Sequence, residues 1–116
     1  MGEARRHEAL DWLTKAANSL LAAGVLAGAS GEMTRSLIFH TQQAAEYALQ
    51  GYLAARGEQF GKTKGLPALL SQCAALNPAF IDVEPAKLDF PETAVAQART
   101  ILNLVRIHLP PEYRGA

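Results

Sequence analysis

The chain has 116 residues and a mass of 12.4 kDa, and its 11 basic and 11 acidic side chains give a formal net charge of +0 and a pI of about 6.8. That length is one domain, with a core burying roughly two-thirds of the unfolded surface. The charge balance excludes a nucleic-acid clamp working by bulk charge and a polybasic membrane-surface binder, while 49% hydrophobic against 19% charged residues excludes a disordered tail.

The first predicted helix runs from about Glu3 to Ala27. Leu10, Leu13, Ala17, Leu20, Leu21 and Gly24 recur at three- and four-residue steps and form its expected core stripe. Residues Ala16 to Gly31 carry no charge, but this run of 16 residues is shorter than the roughly 20 needed to span a bilayer. Arg5, Arg6 and the cleavage-like Ala27-Gly28-Ala29 suggest a signal peptide, whereas Glu3, Glu8 and Asp11 spoil its basic region. A buried helix is the preferred reading. Gly28, Ser30 and Gly31 then make a turn.

The second helix is predicted from about Glu32 to Arg56, with Gly57 as its stop signal. One stripe is Ile38, Ala45, Leu49, Tyr52 and Leu53. Another is small: Ala44, Ala48, Gly51 and Ala55. Gly51 inside a helix costs about 1 kcal/mol against Ala, so close approach of a neighbouring helix is its expected compensation. Gln43, Glu46 and Gln50 form a polar line on one face.

Gly57 to Gly65 reads as a polar loop, and Leu66 to Leu76 as a third helix with Pro67 in its first turn and Asn77-Pro78 as its end. Pro78 to Pro91 is expected to be an irregular connection with one short helical turn. The last helix is predicted from Pro91 to about Leu109, with Val95, Ala98, Leu102, Val105 and Leu109 inward and Pro110-Pro111 as its stop. The expectation is a single all-α domain over residues 1–116, an up-and-down antiparallel four-helix bundle, with a frayed tail from 110 to 116.

The centre of the second helix reads Phe39-His40-Thr41-Gln42-Gln43-Ala44-Ala45-Glu46-Tyr47-Ala48-Leu49. It continues through Tyr52-Leu53 and Arg56-Gly57 to Lys62-Thr63-Lys64-Gly65-Leu66. Together with Trp12 and the small residues after it, this stretch closely resembles the HEPN domain family (higher eukaryotes and prokaryotes nucleotide-binding). The resemblance extends from about Asp11 to Leu109 and is most specific from Phe39 to Leu66. It implies a bundle of four or five helices, usually a homodimer. It also implies either partnership with a minimal nucleotidyltransferase in a toxin–antitoxin or nucleotide-binding pair, or metal-independent RNA cleavage by a late arginine-x-x-x-x-histidine motif. Three departures stand out. Lys64 replaces the usual histidine, the connection from Asn77 to Pro91 is short, and Arg99, Arg106 and His108 do not have the spacing of the nuclease motif.

Arg35 and His40 do have that spacing, but in the second helix. Such a pair could place a general acid–base beside a phosphate-steadying guanidinium. Residues five apart are about 140° apart around a helix, so a surface Arg35 and a structural His40 is the preferred reading. The candidate ligand-binding residues are His40, Gln43, Glu46, Lys62 and Lys64. Gln43 and Glu46 would line a polar cavity or form a polar network that fixes register. Lys62 and Lys64 flank Thr63 in a glycine-bounded loop that lacks the full phosphate-loop pattern.

The lone Cys73, in an apolar stretch, is expected to pack rather than react, and its being single fits a reducing cytoplasm. His7, His40 and His108 are scattered, so no metal site is expected, nor any cofactor or membrane partner. Three functions follow: a homodimeric module that binds nucleotide or RNA or pairs with a nucleotidyltransferase, an RNase using Arg35 and His40, and a structural bundle without ligand. The first is preferred, with the apolar excess assigned to a dimer face.

Overall fold

The computed structural model describes residues 2–27, 33–59 and 65–113. Four α-helices follow one another: α1 (Gly2–Leu26), α2 (Thr34–Ala55), α3 (Leu66–Leu76) and α4 (Pro91–Ile107). Among the described residues there is no strand, and no helix is long and apolar enough to cross a membrane. The architecture is the expected all-α four-helix bundle.

The largest contact is between α1 and α2. They run antiparallel: Gly51 lies against Leu13 and Ala9, Tyr47 against Trp12, and Gln43 against Ser19. The seam is made of small side chains. Ala9, Ala16 and Ala23 of α1 are fully buried, as are Ala44 and Ala48 of α2. A β-carbon at Gly51 would sit 2.9 Å from Leu13 Cδ2. The close approach expected from Gly51 is therefore present, and it offsets the helix-propensity cost of that glycine.

The buried face of α1 is not the predicted stripe. Leu13 and Leu20 are buried, Leu10 and Ala17 are half-buried, but Gly24 is exposed and Leu21 is 71% exposed. Ala9, Ala16 and Ala23 take the inward positions instead. Side-chain size sets the rotation of this helix, because only alanine fits where two backbones approach closely.

Gly57 ends α2 as expected. Its φ is 73°, its N–H donates to Ala54 O, and the Glu58 N–H donates to Leu53 O. This is a Schellman motif, satisfying carbonyls that the helix end leaves without partners. Pro67 and Pro91 start α3 and α4.

The connection after α3 is more regular than expected. It holds two 3-10 turns, Pro78–Asp82 and Pro85–Asp89, each opened by a proline. Asn77 Oδ1 accepts the Ala79 N–H at 3.0 Å, and Phe80 and Leu88 send their side chains into the core. The tail expectation is corrected for residues 111–113. Pro111–Tyr113 forms a third 3-10 turn and Tyr113 is buried in the core cluster, because its large ring removes more apolar surface from water than fraying would gain in entropy. Residues 114–116 of the tail lie outside the described residues.

The seam makes a contrast between two helical glycines. Gly51→Val should destabilise by about 2 kcal/mol through overpacking against Leu13. Gly24→Ala, where a β-carbon meets nothing within 4 Å, should stabilise by about 0.5–1 kcal/mol. Urea unfolding of both variants checks the pair.

Candidate functional site

The polar line of α2 divides between two neighbours. Gln43 faces α1, where its Oε1 accepts the Ser19 hydroxyl at 3.3 Å. Gln42 Nε2 donates to Asp89 Oδ1 at 3.1 Å. Gln42, Glu46 and Asp89 line a cavity of about 450 Å³ closed by Leu66, Pro67, Pro85 and Ala86. Positions 43 and 46 are about 60° apart on the wheel, which suffices to aim them at different elements. The predicted Gln43–Glu46 pair thus shares no cavity: Gln43 serves helix register, and Glu46 lines the cavity. Burial pushes the Glu46 carboxyl above its ordinary value. Two carboxylates with no cation among the lining residues make that cavity a poor seat for phosphate. Gln50 is half-buried, and its Oε1 has no hydrogen-bond partner.

The Arg35–His40 pair does not converge. The helix is unbroken from Thr34 to Ala55, so the two side chains leave it about 140° apart. Arg35 is exposed; His40 is half-buried, edge-on to Phe39 at 5.4 Å between ring centroids, with its Nδ1 buried and unpartnered. Within one chain, an RNase centre built from this pair lacks its geometry. Lys62 and Lys64 lie outside the described residues.

The remaining reactive groups are absorbed locally. Cys73 is fully buried, with Sγ 3.7 Å from Leu49 O, and burial pushes its thiol up to about 12. The thiolate that a nucleophile needs is therefore suppressed. His108 Nδ1 lies 2.9 Å from Leu104 O, and His7 pairs with Asp11 at 3.6 Å on the surface. Among the described residues, no group of three or more His, Cys, Asp or Glu is placed to hold a metal ion.

A more promising cavity lies where the start of α1 meets the end of α2, and sequence reasoning missed it. It encloses about 520 Å³ and is lined by Ala4, Arg5, Glu8, Trp12, Ala54, Gly57, Glu58 and Gln59. Arg5, Glu8 and Trp12 are three and four apart, so α1 presents them on one face. The Arg5 guanidinium packs on Gly57: a β-carbon there would lie 2.7 Å from Cζ. The Trp12 ring tilts against Tyr47 with centroids 5.7 Å apart. Lys15 Nζ sits 4.7 Å from the Trp12 centroid and 6.0 Å from that of Tyr47, a cation–π arrangement. One guanidinium, one indole and two carboxylates thus border a single opening. Lys62 and Lys64 follow Gln59 by three and five residues in the chain.

The HEPN domain family model matches residues 9–100, which covers α1 from Ala9 through most of α4. No curated protein and no solved structure is detectably similar to the chain.

The raised Glu46 carboxyl has a pH consequence. Between its unfolded and folded values the native state holds more protons, so this group's contribution to stability falls as pH rises through that interval. Glu46→Gln should therefore gain melting temperature over wild type on going from pH 4 to pH 7. A difference that stays flat or shrinks over that range would refute the assignment.

Proposed function

Because the chain belongs to the HEPN domain family, we propose that it is a nucleotide-binding helical module that works in the cytoplasm as a homodimer beside a minimal nucleotidyltransferase, in a pair of toxin–antitoxin type. The observation that carries nucleotide binding is the cavity of Arg5, Glu8, Trp12 and Glu58. Its chemistry matches the parts of a nucleotide one by one. The Trp12 face stacks a base, the Arg5 guanidinium takes a phosphate, and the Glu8 and Glu58 carboxylates accept ribose hydroxyls.

Stacking contributes about 1–3 kcal/mol per base, and a charge-assisted hydrogen bond about 1.5–3 kcal/mol. Together they support a dissociation constant on the order of a millimolar or somewhat below. The polar contacts are local, in keeping with a chain of net charge +0. Lys62 and Lys64, phosphate-ligand candidates from the sequence, lie outside the described residues and are given no place in this cavity. The Glu46 cavity is not chosen because its lining holds two carboxylates and no cation to face a phosphate.

Trp12 is the single tryptophan, so its fluorescence reports directly on the cavity. Titration with ATP is expected to quench it saturably, and Arg5→Ala to weaken binding at least 10-fold, the loss of one charge-assisted bond. No saturable change up to 5 mM ATP sinks the nucleotide reading.

Dimerisation is supported by a pair of exposed rings. Phe39 is 57% and Phe90 55% exposed. The Gln42–Asp89 bond brings the α2 turn that carries Phe39 close to Phe90, its chain neighbour being Asp89. Sedimentation equilibrium at micromolar concentration is expected to give twice 12.4 kDa, and Phe39→Asp to give the monomer. A wild-type monomer overturns this part. The partner enzyme rests on the family resemblance of residues 39–66; the test is whether an adjoining reading frame encodes a minimal nucleotidyltransferase that co-purifies with the chain, and the lack of such a frame or of co-purification overturns it.

A further inference from the structure

A cavity of about 360 Å³ opens between the first two 3-10 turns and α4. Gln97, Thr100 and Leu104 share one face of α4 and form one wall. The turns and their link supply Asp82, Val83, Glu84 and Lys87. Both turns are anchored beneath: Phe80 and Leu88 are fully buried, and the Thr93 hydroxyl donates to Lys87 O at 2.6 Å. The walls therefore hold their places without a ligand, as small-molecule sites commonly do.

Gln97 is the anomaly here. It is only 8% exposed, yet its side chain makes no hydrogen bond among the described residues. Neither of its polar atoms is sealed inside the protein, so the carboxamide faces the cavity. Burying a carboxamide without a partner costs free energy, which a ligand meeting it would recover.

The groups around Gln97 accept rather than donate. Lys87 Nζ pairs with Glu84 Oε1 at 3.3 Å, so its charge is met. Asp82 makes no ion pair among the described residues, which leaves one carboxylate in surplus. The Thr100 hydroxyl donates to Ala96 O at 2.9 Å and keeps its oxygen as an acceptor. A carboxylate, an amide oxygen and a hydroxyl oxygen thus border an opening whose walls at Val83 and Leu104 are apolar. The complement is a planar cation with several donors. A guanidinium has no acceptor and holds its water less tightly than an ammonium, so it suits such walls.

We propose that this cavity binds a guanidinium on a short aliphatic stem. The fork lies on Asp82, a further N–H donates to Gln97 Oε1, and the stem rests against Val83 and Leu104. A free guanidino compound and an arginine side chain of another protein offer the same chemistry. The acidic cavity beside Glu46 is not equivalent, since its Asp89 is already bonded to Gln42. The inference is independent of nucleotide binding, because the cavity shares no residue with that of Arg5 and Trp12.

The probes are N-acetyl-arginine methylamide, its neutral urea analogue N-acetyl-citrulline methylamide, the lysine equivalent, and free arginine. Binding to the full chain is followed in amide proton–nitrogen correlation spectra, with the Gln97 carboxamide assigned by its loss in Gln97→Met. The capped arginine is expected to shift that carboxamide saturably, with a dissociation constant on the order of millimolar. The citrulline probe should bind at least about tenfold more weakly, the loss of the charge on the fork. The lysine probe, a point charge, should bind at least about threefold more weakly. Asp82→Asn, on an exposed turn, should remove the preference for arginine over citrulline at an unchanged melting temperature. Tighter binding of the capped form than of free arginine assigns the site to an arginine within a chain. The reverse assigns it to a free guanidino compound, and either supports the proposal. No saturation by either arginine up to about 50 mM, equal binding of arginine and either control, or a preference that survives Asp82→Asn overturns it.

Discussion

The bundle depends on the close approach of two helix backbones. Alanines at positions 9, 16 and 23 of α1 and at 44 and 48 of α2 are fully buried, and the Leu13 side chain fits against the bare Cα of Gly51. Dispersion falls steeply with distance, so a seam of small residues gains contact that larger ones would lose to separation. What flanks the seam follows from it. Trp12 can reach Tyr47, Ser19 can reach Gln43, and Arg5 can lie on Gly57, because nothing bulky holds the helices apart.

Local signals were the legible ones. Gly57 as a stop, Pro67 and Pro91 as starts, and Gly51 as a close-packing residue each act through their own backbone, so one sequence suffices to read them. The rotation of α1 was not legible. Over the uncharged stretch after Lys15, hydrophobicity has little phase, and the choice between Leu21 and Ala23 as the inward residue is made by the space that α2 leaves. Tyr113 was unreadable for a similar reason. Its position after two prolines suggests fraying, and only the arrangement of the whole core offers its ring a place.

The candidate sites divide along the same line. That Gln43 and Glu46 share a side of α2 was correct as an angle and insufficient as a neighbourhood, because two different elements meet that side. The Arg5–Trp12–Gly57 cavity has no signature in either segment alone: the residues that form it are more than forty positions apart, and the helix hairpin alone unites them. The neutral net charge likewise hides a partition. Carboxylates gather beside Glu46, arginines along α4, and both signs at the end of α2. An average of zero describes none of the three surfaces.

Gly57 joins two of these themes. The φ of 73° that lets it close α2 also keeps its surface bare, and the guanidinium of Arg5 lies in the space a methyl group would take. The turn and the cavity wall are therefore one object. A ligand that held Arg5 over Gly57 would favour the closed turn, in which the amides of Gly57 and Glu58 sit on the last carbonyls of the helix. Opening of that turn and occupancy of the cavity would then be coupled equilibria. The exchange of those two amides with solvent is then a built-in gauge of whether the cavity is filled.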